Sequence, residues 1–355
     1  MFIKYGSYVI ILCLLYINSC PIRENRFNES RTYAELPYLS NVNMDVKRGA
    51  IYLSGYLNGK SYIQKHQVFG LDWEISINYN ITKIVHYIDL IYVVGDNHIH
   101  ILNEYGVILY SRLLYSNKLP YHINSIFIHE INFYLTGHIN NTSFIAQYNR
   151  NGLIWQKLLY NNSTGIDVMV DKKDIYVAGI INKDTFIIKL NHTHVIWKYI
   201  FEPFRYSTTV GLSMNEQVIS IAGSFSFNIK INDNIRLVAC GFGNDSYLVS
   251  INKSGNIVYA GSFCGSHTVI TSFSISNIVT NNNCYYYYIA GLFNKNMTFI
   301  GTNLLSNITD HRYNIEFQYM PTLIKPVISV TNNSIHFIYV LLRQSKTIIS
   351  RLRII

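Results

Sequence analysis

Short apolar runs alternate with polar turns along most of the chain. A representative stretch contains four runs rich in Ile, Val, Tyr and Phe, which span 166–170, 175–179, 185–190 and 195–200. Clusters of Asn, Asp, Lys and His separate these runs. Runs of this length and composition, bounded by turn residues, are typical of β-strands. The pattern therefore predicts an all-β chain of short strands joined by tight turns.

Two sequence strings recur in the same register. The first consists of an aromatic or aliphatic residue, a hydroxyl or aromatic residue, an aliphatic residue, a small residue and a glycine, and its copies end at Gly55, Gly95, Gly137, Gly179, Gly223 and Gly291. The spacings between these glycines are 40, 42, 42, 44 and 68 residues, and a copy without glycine spans 336–340. The second string follows the first and is clearest at 144–155, 186–197 and 247–258. Two strings that keep register over several copies indicate an internal repeat.

A repeat of about 42 residues with four strands is typical of a β-propeller blade. We predict one β-propeller domain, residues 33–355, with seven four-stranded blades, and six or eight blades remain as alternatives. The long spacing before Gly291 indicates an insertion at about 227–243 in blade five. The segment 328–355 supplies only three strands, whereas 33–40 resembles the fourth strands of other repeats. We therefore expect an N-terminal strand to complete the last blade, because ring closure removes exposed sheet edges.

Two residue types in the repeat have expected structural roles. The glycines that end the second strands should allow close approach between neighbouring blades. Trp155 and Trp197, near the start of fourth strands, should fill the space between sheets.

The repeat resembles a known family. Ile175-Tyr-Val-Ala-Gly179, then Asp184-Thr-Phe186, a Lys-Leu-Asn run and Trp197 resemble the bacterial SBBP-type repeat, a seven-bladed β-propeller family. His194 departs from the family pattern, since it stands where the turn glycine is usual. The resemblance implies an extracytoplasmic propeller, often a lipoprotein, and it brings no catalytic residues with it.

The first nineteen residues have the pattern of a leader. Lys4 precedes a ten-residue apolar run, 8–17, which suits a signal-peptide core and is too short to span a bilayer. The following Ile17-Asn-Ser-Cys20 resembles the bacterial lipobox, which implies cleavage between Ser19 and Cys20 and lipidation of Cys20. We expect a lipid-anchored protein of the cell envelope with a polar tether at 20–32; an ordinary secretory signal or an uncleaved anchor is the alternative.

Composition narrows the function classes. Charged residues are only 14% and hydrophobic residues 49% of the chain, which excludes disorder. The formal charge of +9 comes from scattered Lys and Arg, so an acidic lipid or glycan surface is favoured over nucleic acid. Acidic residues number only 20, and the densest group, Asp167, Asp171 and Asp174, is typical of turn formers.

Histidine and cysteine give no strong site. His98 and His100 alternate on one strand face, and His192 and His194 share a turn, but solvent-facing or turn roles are favoured over a metal site. Neither a metal nor another cofactor is expected. Cys240 and Cys264 can pair and leave Cys284 free, or all three can be thiols.

These observations lead to a functional hypothesis. We expect a monomeric, non-catalytic platform that binds an unknown protein or glycan. The candidate binding residues lie in polar turns: Asp96, Asn97, Asn140, Asn141, Asn182, Lys183 and Asp184. The alternatives are a hydrolase or lyase with its site in the central channel, and a structural part of an envelope assembly.

Overall fold

The structure is a computed structural model. It describes the backbone of residues 2–5, 8–11, 13–17, 30–37, 40–47, 50–67, 70–116, 119–239, 244–264, 268–275, 285–293, 297–303, 308–315, 327–331, 334–341 and 346–353. Side chains are described for 43–47, 50–67, 70–115, 119–239 and 244–263. Ser19, Cys20, Cys240 and Cys284 lie outside the described residues, so the predictions that concern them stay predictions.

The described chain consists of 35 strands joined by turns. The first twelve are β1 Phe2–Tyr5, β2 Tyr8–Ile11, β3 Cys13–Ile17, β4 Ser30–Pro37, β5 Ser40–Lys47, β6 Ala50–Leu57, β7 Lys60–Gln67, β8 Gly70–Ile77, β9 Lys83–Tyr87, β10 Leu90–Gly95, β11 His98–Asn103 and β12 Ile108–Leu113. The next twelve are β13 Tyr115–Ser116, β14 Leu119–Pro120, β15 His122–His129, β16 Asn132–Ile139, β17 Thr142–Asn149, β18 Gly152–Asn161, β19 Ser163–Asp171, β20 Asp174–Ile181, β21 Asp184–Asn191, β22 His194–Pro203, β23 Ser207–Met214 and β24 Val218–Ser226. The last eleven are β25 Asn228–Asn232, β26 Ile235–Val238, β27 Asn244–Asn252, β28 Ile257–Cys264, β29 Thr268–Ile275, β30 Tyr285–Phe293, β31 Met297–Asn303, β32 Ile308–Ile315, β33 Val327–Thr331, β34 Ser334–Leu341 and β35 Lys346–Arg353.

The predicted all-β class is confirmed, and each copy of the first repeat string coincides with one strand. The seven copies lie in β6, β10, β16, β20, β24, β30 and β34. None of the residues with a described backbone is helical, and within that part of the chain no helix is long and apolar enough to cross a membrane.

The chain divides into two compact units. The first contains residues 1–25, 178–190 and 194–328, and the second contains 26–177, 191–193 and 329–355. In the second unit, three antiparallel sheets follow the chain in the orders β5-β6-β7-β8, β9-β10-β11-β12 and β15-β16-β17-β18. A fourth sheet has the order β33-β34-β35-β4.

The predicted N-terminal closure is confirmed in this fourth sheet. β4 pairs antiparallel with β35, with Leu36 opposite Thr347 and Arg31 opposite Arg351. The strand begins at Ser30, so the last residues of the expected tether also belong to the sheet. Pairing with β4 gives the C-terminal strand the neighbour that it otherwise lacks.

The first unit carries two departures from plain four-stranded sheets. β31 and β32 extend one sheet, whose order is β23-β24-β27-β28-β31-β32. The expected insertion contains the β25–β26 hairpin, and β25 pairs with the end of β22 at Glu202 and Pro203.

The expected leader region contains β1 and β2, which form a hairpin, and β3, which pairs with β30. Whether this region is removed as a signal peptide stays a prediction.

In the three sheets of the second unit whose side chains are described, the middle strands form the core and the fourth strand is the more exposed. β10 and β16 are almost entirely buried, whereas β12 is mostly exposed. A core cluster joins two neighbouring sheets through side chains such as Tyr92, Ile101, Phe133 and Phe144. Neighbouring sheets therefore stack through the faces of their inner strands.

The second-strand glycines make a different contact from the one expected. A Cβ at Gly95, Gly137 or Gly223 would lie 1.8 Å from the backbone oxygen of Asn80, His122 or Thr208 respectively, near or within the first strand of the same sheet. Opposite Gly137 and Gly223 the first strand changes register, which is the mark of a β-bulge. These glycines thus make room for a bulge in their own sheet, whereas the close approach to a neighbouring sheet is made by Gly165 against Thr136.

Candidate functional site

In the second unit, the first strand of each repeat carries charged side chains that form a small group. These strands contact one another in the order β5, β9, β15 and β19. The Lys83 Nζ lies 3.5 Å from Oδ1 of Asp167, which is almost fully buried. The same oxygen accepts hydrogen bonds from the Ser125 hydroxyl at 2.5 Å and the Val168 N–H at 3.1 Å. Asp167 therefore links β9, β15 and β19 through its contacts with Lys83 and Ser125.

Asp45 on β5 has a similar role. Its carboxylate accepts the N–H of His86 at 2.5 Å and that of Val46 at 2.8 Å. Burial raises the pKa of Asp45, while these two hydrogen bonds and the nearby Lys83 act in the opposite direction. A general acid or base must reach substrate with its carboxyl oxygens. The oxygens of Asp45 and Asp167 are instead occupied by backbone and side-chain donors of the fold.

The three tryptophans make one recurring contact, each with the turn between the third and fourth strands of the following repeat. Trp73 donates its Nε1–H to the Glu104 oxygen at 2.8 Å, and a Cβ at Gly106 would lie 2.9 Å from the Trp73 ring. In the first unit, a Cβ at Gly255 would lie 2.8 Å from the Trp197 ring. The glycine in this turn is therefore required by the indole that covers it.

The contact of Trp155 differs from that of the other two tryptophans, because His194 stands where their turns have a glycine. The turn after β21 has no glycine, and Trp155 stacks on His192 with ring centroids 5.0 Å apart. Lys157 also donates to the Thr193 oxygen at 2.5 Å, while His194 is exposed. A ring-on-ring contact thus replaces the ring-on-glycine contact that Trp73 and Trp197 make. The described tryptophan contacts are with a turn of the following repeat, and the role of Trp155 and Trp197 in filling the space between sheets stays a prediction.

The predicted binding residues lie in turns between second and third strands. Backbone oxygens of these turns accept hydrogen bonds from other segments of the chain. The Asp96 and Asn97 oxygens accept the N–H groups of Ile123 and Leu114, each at 2.8 Å. The equivalent oxygen of Asn141 accepts the Ser163 N–H at 3.0 Å. These carbonyls hold the connection to the next sheet.

The remaining predicted binding residues belong to the first unit or complete such turns. Lys183 accepts the Ser207 N–H at 2.9 Å. Asn140 and Asn182 have φ values of 46° and 55°, a left-handed conformation that asparagine tolerates. Burial raises the pKa of Asp184, and the Glu202 carboxylate adds to this effect.

Two clefts lie at the opposite ends of the strands, where turns join first to second strands and third to fourth strands. We call this end of the second unit the cleft face, formed by residues 87–90, 104–106, 129–132, 149–152, 171–174 and 191–193. One cleft has a volume of about 750 Å³ and is lined mainly by polar residues of 129–132, 171–174 and 191–192. The other has a volume of about 560 Å³ and lies among 87–90, 130–131 and 149–151.

Glu130 borders both clefts, so they are neighbours on one surface. The predicted residues Asp96, Asn97, Asn140 and Asn141 line neither. The turns at both ends of the strands are rich in polar residues, and for this reason the sequence did not distinguish them. The exposed isoleucines at Ile88 and Ile131, inside otherwise polar turns, were the available signal.

The histidines considered as metal ligands pack against aromatic rings. His98 stacks on Tyr79 with a centroid distance of 4.4 Å, and His100 lies 5.3 Å from the same ring. Burial lowers the pKa of both imidazoles. Where the structure describes side chains, it contains no group of three or more His, Cys, Asp or Glu placed to hold a metal ion.

Comparisons with known proteins identify the fold. Neither a protein-family model nor a curated protein matches the sequence. Among solved structures, the Neurospora crassa Pan2 WD40 domain matches with a TM-score of 0.54 and 10% identity, covering 91% of this chain and 95% of that one. The Kuenenia stuttgartiensis hydrazine synthase matches with a TM-score of 0.57 and 8% identity, over 88% and 95% of the two chains.

A third match is KlAtg21 in its complex with the coiled coil of AgAtg16, with a TM-score of 0.52, 10% identity and coverage of 85% and 94%. The chain therefore has a β-propeller fold. At these identities the likeness does not extend to activity.

Proposed function

We propose that this β-propeller is a non-catalytic binding platform whose partner docks on the cleft face of the second unit. The observation that carries the proposal is the pair of adjacent clefts, of about 750 and 560 Å³, which share Glu130. Concave sites of this size, with apolar and polar groups together, are the usual form of binding sites. KlAtg21, a structurally similar protein, was solved in a complex with the coiled coil of AgAtg16.

A hydrolase or lyase with its site among the first strands is the less supported alternative. Asp45, Lys83 and Asp167 converge there, but the two carboxylates accept hydrogen bonds from the strands that they join. A role as a structural part of an envelope assembly would use the same cleft face as an interface.

Photocrosslinking tests where the partner docks. A benzophenone amino acid at position 131 on the cleft face should yield a crosslinked adduct in cells that produce the protein. The same amino acid at exposed position 183, in a turn between second and third strands, is the matched control and should yield none. Adducts at 183 and not at 131 would move the partner to the turns first predicted from the sequence.

We also propose that the chain is exported and anchored by lipid on Cys20, which the apolar run 8–17 and the lipobox-like Ile17-Asn-Ser-Cys20 support. Several acyl chains hold a protein on a bilayer firmly, because each buried methylene contributes about 0.8 kcal/mol. Together with the cleft face, this gives a membrane-tethered platform.

Labelling with palmitate tests the anchor. In a bacterial host, the wild-type chain and Cys13→Ser should incorporate label and sediment with membranes, whereas Cys20→Ser should do neither. Cys13 is the matched control, since it is the other cysteine of the leader region. Label that persists in Cys20→Ser, or an intact leader in the mass spectrum of the wild-type protein, would refute lipidation at this residue.

A further inference from the structure

Two isoleucines on the cleft face are exposed in tight turns, where they contribute little to the core. Ile131 is 78% and Ile88 is 58% exposed. Ile88 also has a φ of 57°, in the left-handed region that a β-branched residue rarely adopts. Asparagine or glycine would suit this turn better, so stability does not explain the isoleucine. Strain of this kind is retained where a side chain serves function.

The two isoleucines border the cleft of about 560 Å³, and its walls are fixed by hydrogen bonds. The Glu130 N–H donates to the Tyr87 hydroxyl at 3.2 Å, which joins the turns that carry the isoleucines. Arg150 makes a side-chain hydrogen bond with Tyr92, and both residues line this cleft. A cleft held open in this way loses little conformational entropy when a ligand enters.

The chemistry of this cleft differs from that of its neighbour. Its lining combines Ile88, Leu90 and Ile131 with the tyrosines, whereas the larger cleft is lined almost wholly by polar side chains. The exposed Glu130 and Asp89 contribute two carboxylates to the lining beside the isoleucines, against the one guanidinium of Arg150, so the lining has a net negative charge. The rim therefore favours a cation next to an apolar group.

We propose that this cleft binds an extended peptide segment of a partner protein, in which a large apolar side chain lies beside a lysine or arginine. The apolar side chain packs between Ile88, Leu90 and Ile131, and the cation lies near Glu130 and Asp89. Exposed apolar residues rimmed by charge are typical of protein interfaces. A sugar would instead be expected to use planar polar side chains, which line the neighbouring cleft. The proposal rests on the proposed function and specifies its partner.

A displayed library of random short peptides, panned on the full chain, tests this assignment. We expect enriched peptides to contain a large apolar residue beside Lys or Arg. Ile131→Ser should weaken their binding about tenfold or more, as for a central interface residue. Glu130→Lys should reverse the preference, so that Glu replaces Lys or Arg in the enriched peptides. Leu158→Ser, which removes another exposed apolar side chain (54%) outside the cleft, should bind as the wild type does.

Ile88→Asn separates a binding role from a structural one. It should weaken peptide binding and at the same time raise the Tm by about 2 °C, because asparagine tolerates the left-handed conformation. A lower Tm with unchanged binding would make Ile88 structural and overturn its part in the site.

Three results would overturn the peptide assignment: no enrichment, enriched peptides that bind wild type and Ile131→Ser alike, or glycan-array binding that Ile131→Ser abolishes. The crosslinking at 131 distinguishes these outcomes from failure of the platform itself. An adduct at position 131 would still support docking of a partner on the cleft face, even if that partner does not bind through a peptide segment.

Discussion

Gly137→Ala should destabilise the protein by at least about 3 kcal/mol, because the new methyl group would meet backbone and not a movable side chain. The added Cβ would lie 1.8 Å from the His122 oxygen, at the point where β15 bulges opposite β16. Relief requires the bulge to straighten, which shifts the first strand by a residue and turns its buried side chains to the other face. Urea denaturation measures the loss as a lower midpoint.

Gly59→Ala is the matched control for this substitution. Gly59 has a φ of 83°, yet no atom lies within 4 Å of an added Cβ. Its cost should be limited to the left-handed backbone, about 1–2 kcal/mol. Equal losses at the two positions would show that the bulge contact does not determine stability.

Acid should destabilise the protein through His66. This side chain is fully buried, and burial lowers its pKa to about 4, although the Glu74 carboxylate acts in the opposite direction. The imidazole Nε2 lies 3.1 Å from the Gln64 Oε1, and the Gln64 amide donates to Glu74 at 2.5 Å. The folded state thus holds His66 neutral.

The sign of the effect follows from proton uptake. An unfolded histidine titrates near pH 6.5. As the pH falls from 6.5 to 4, the unfolded state therefore binds a proton that the folded state does not bind. The free energy of unfolding should fall by about 3 kcal/mol over this range, on the scale of 1.4 kcal/mol per pKa unit. His86, His98, His100 and His138 also have pKa values lowered by burial and add to the slope.

Two variants isolate the contribution of His66. His66→Gln should flatten the stability profile between pH 6.5 and 4, measured by urea denaturation at each pH. Glu74→Gln should steepen it, because the carboxylate that favours protonated His66 is removed. An unchanged slope in His66→Gln would rule out His66 as the source.

The fold was predictable because its signals are local and repeated. The string that ends at Gly95, Gly137 or Gly223 marks a second strand wherever it occurs, since these strands are buried on both faces and allow few residue types. The resemblance of 33–40 to fourth strands also sufficed to predict the closing pair β4–β35.

The candidate site was less predictable, because it depends on contacts between turns of different repeats. Asn140 and Asn141 are polar and lie in a turn, but their turn is occupied by the connection to Ser163. Ile88 adopts a conformation that propensity argues against, so its turn was not recognised as special. The β25–β26 hairpin similarly pairs with β22, an edge that local sequence does not specify.

The pairing of β4 with β35 has a consequence for how the chain reaches its native state. A ribosome releases residues 30–37 more than 300 residues before their partners at 346–353, so the joint that closes the sheet forms last. Contacts of such high sequence separation fold slowly. Until the final segment emerges, the backbone of β4 lacks this partner and remains available to chaperones.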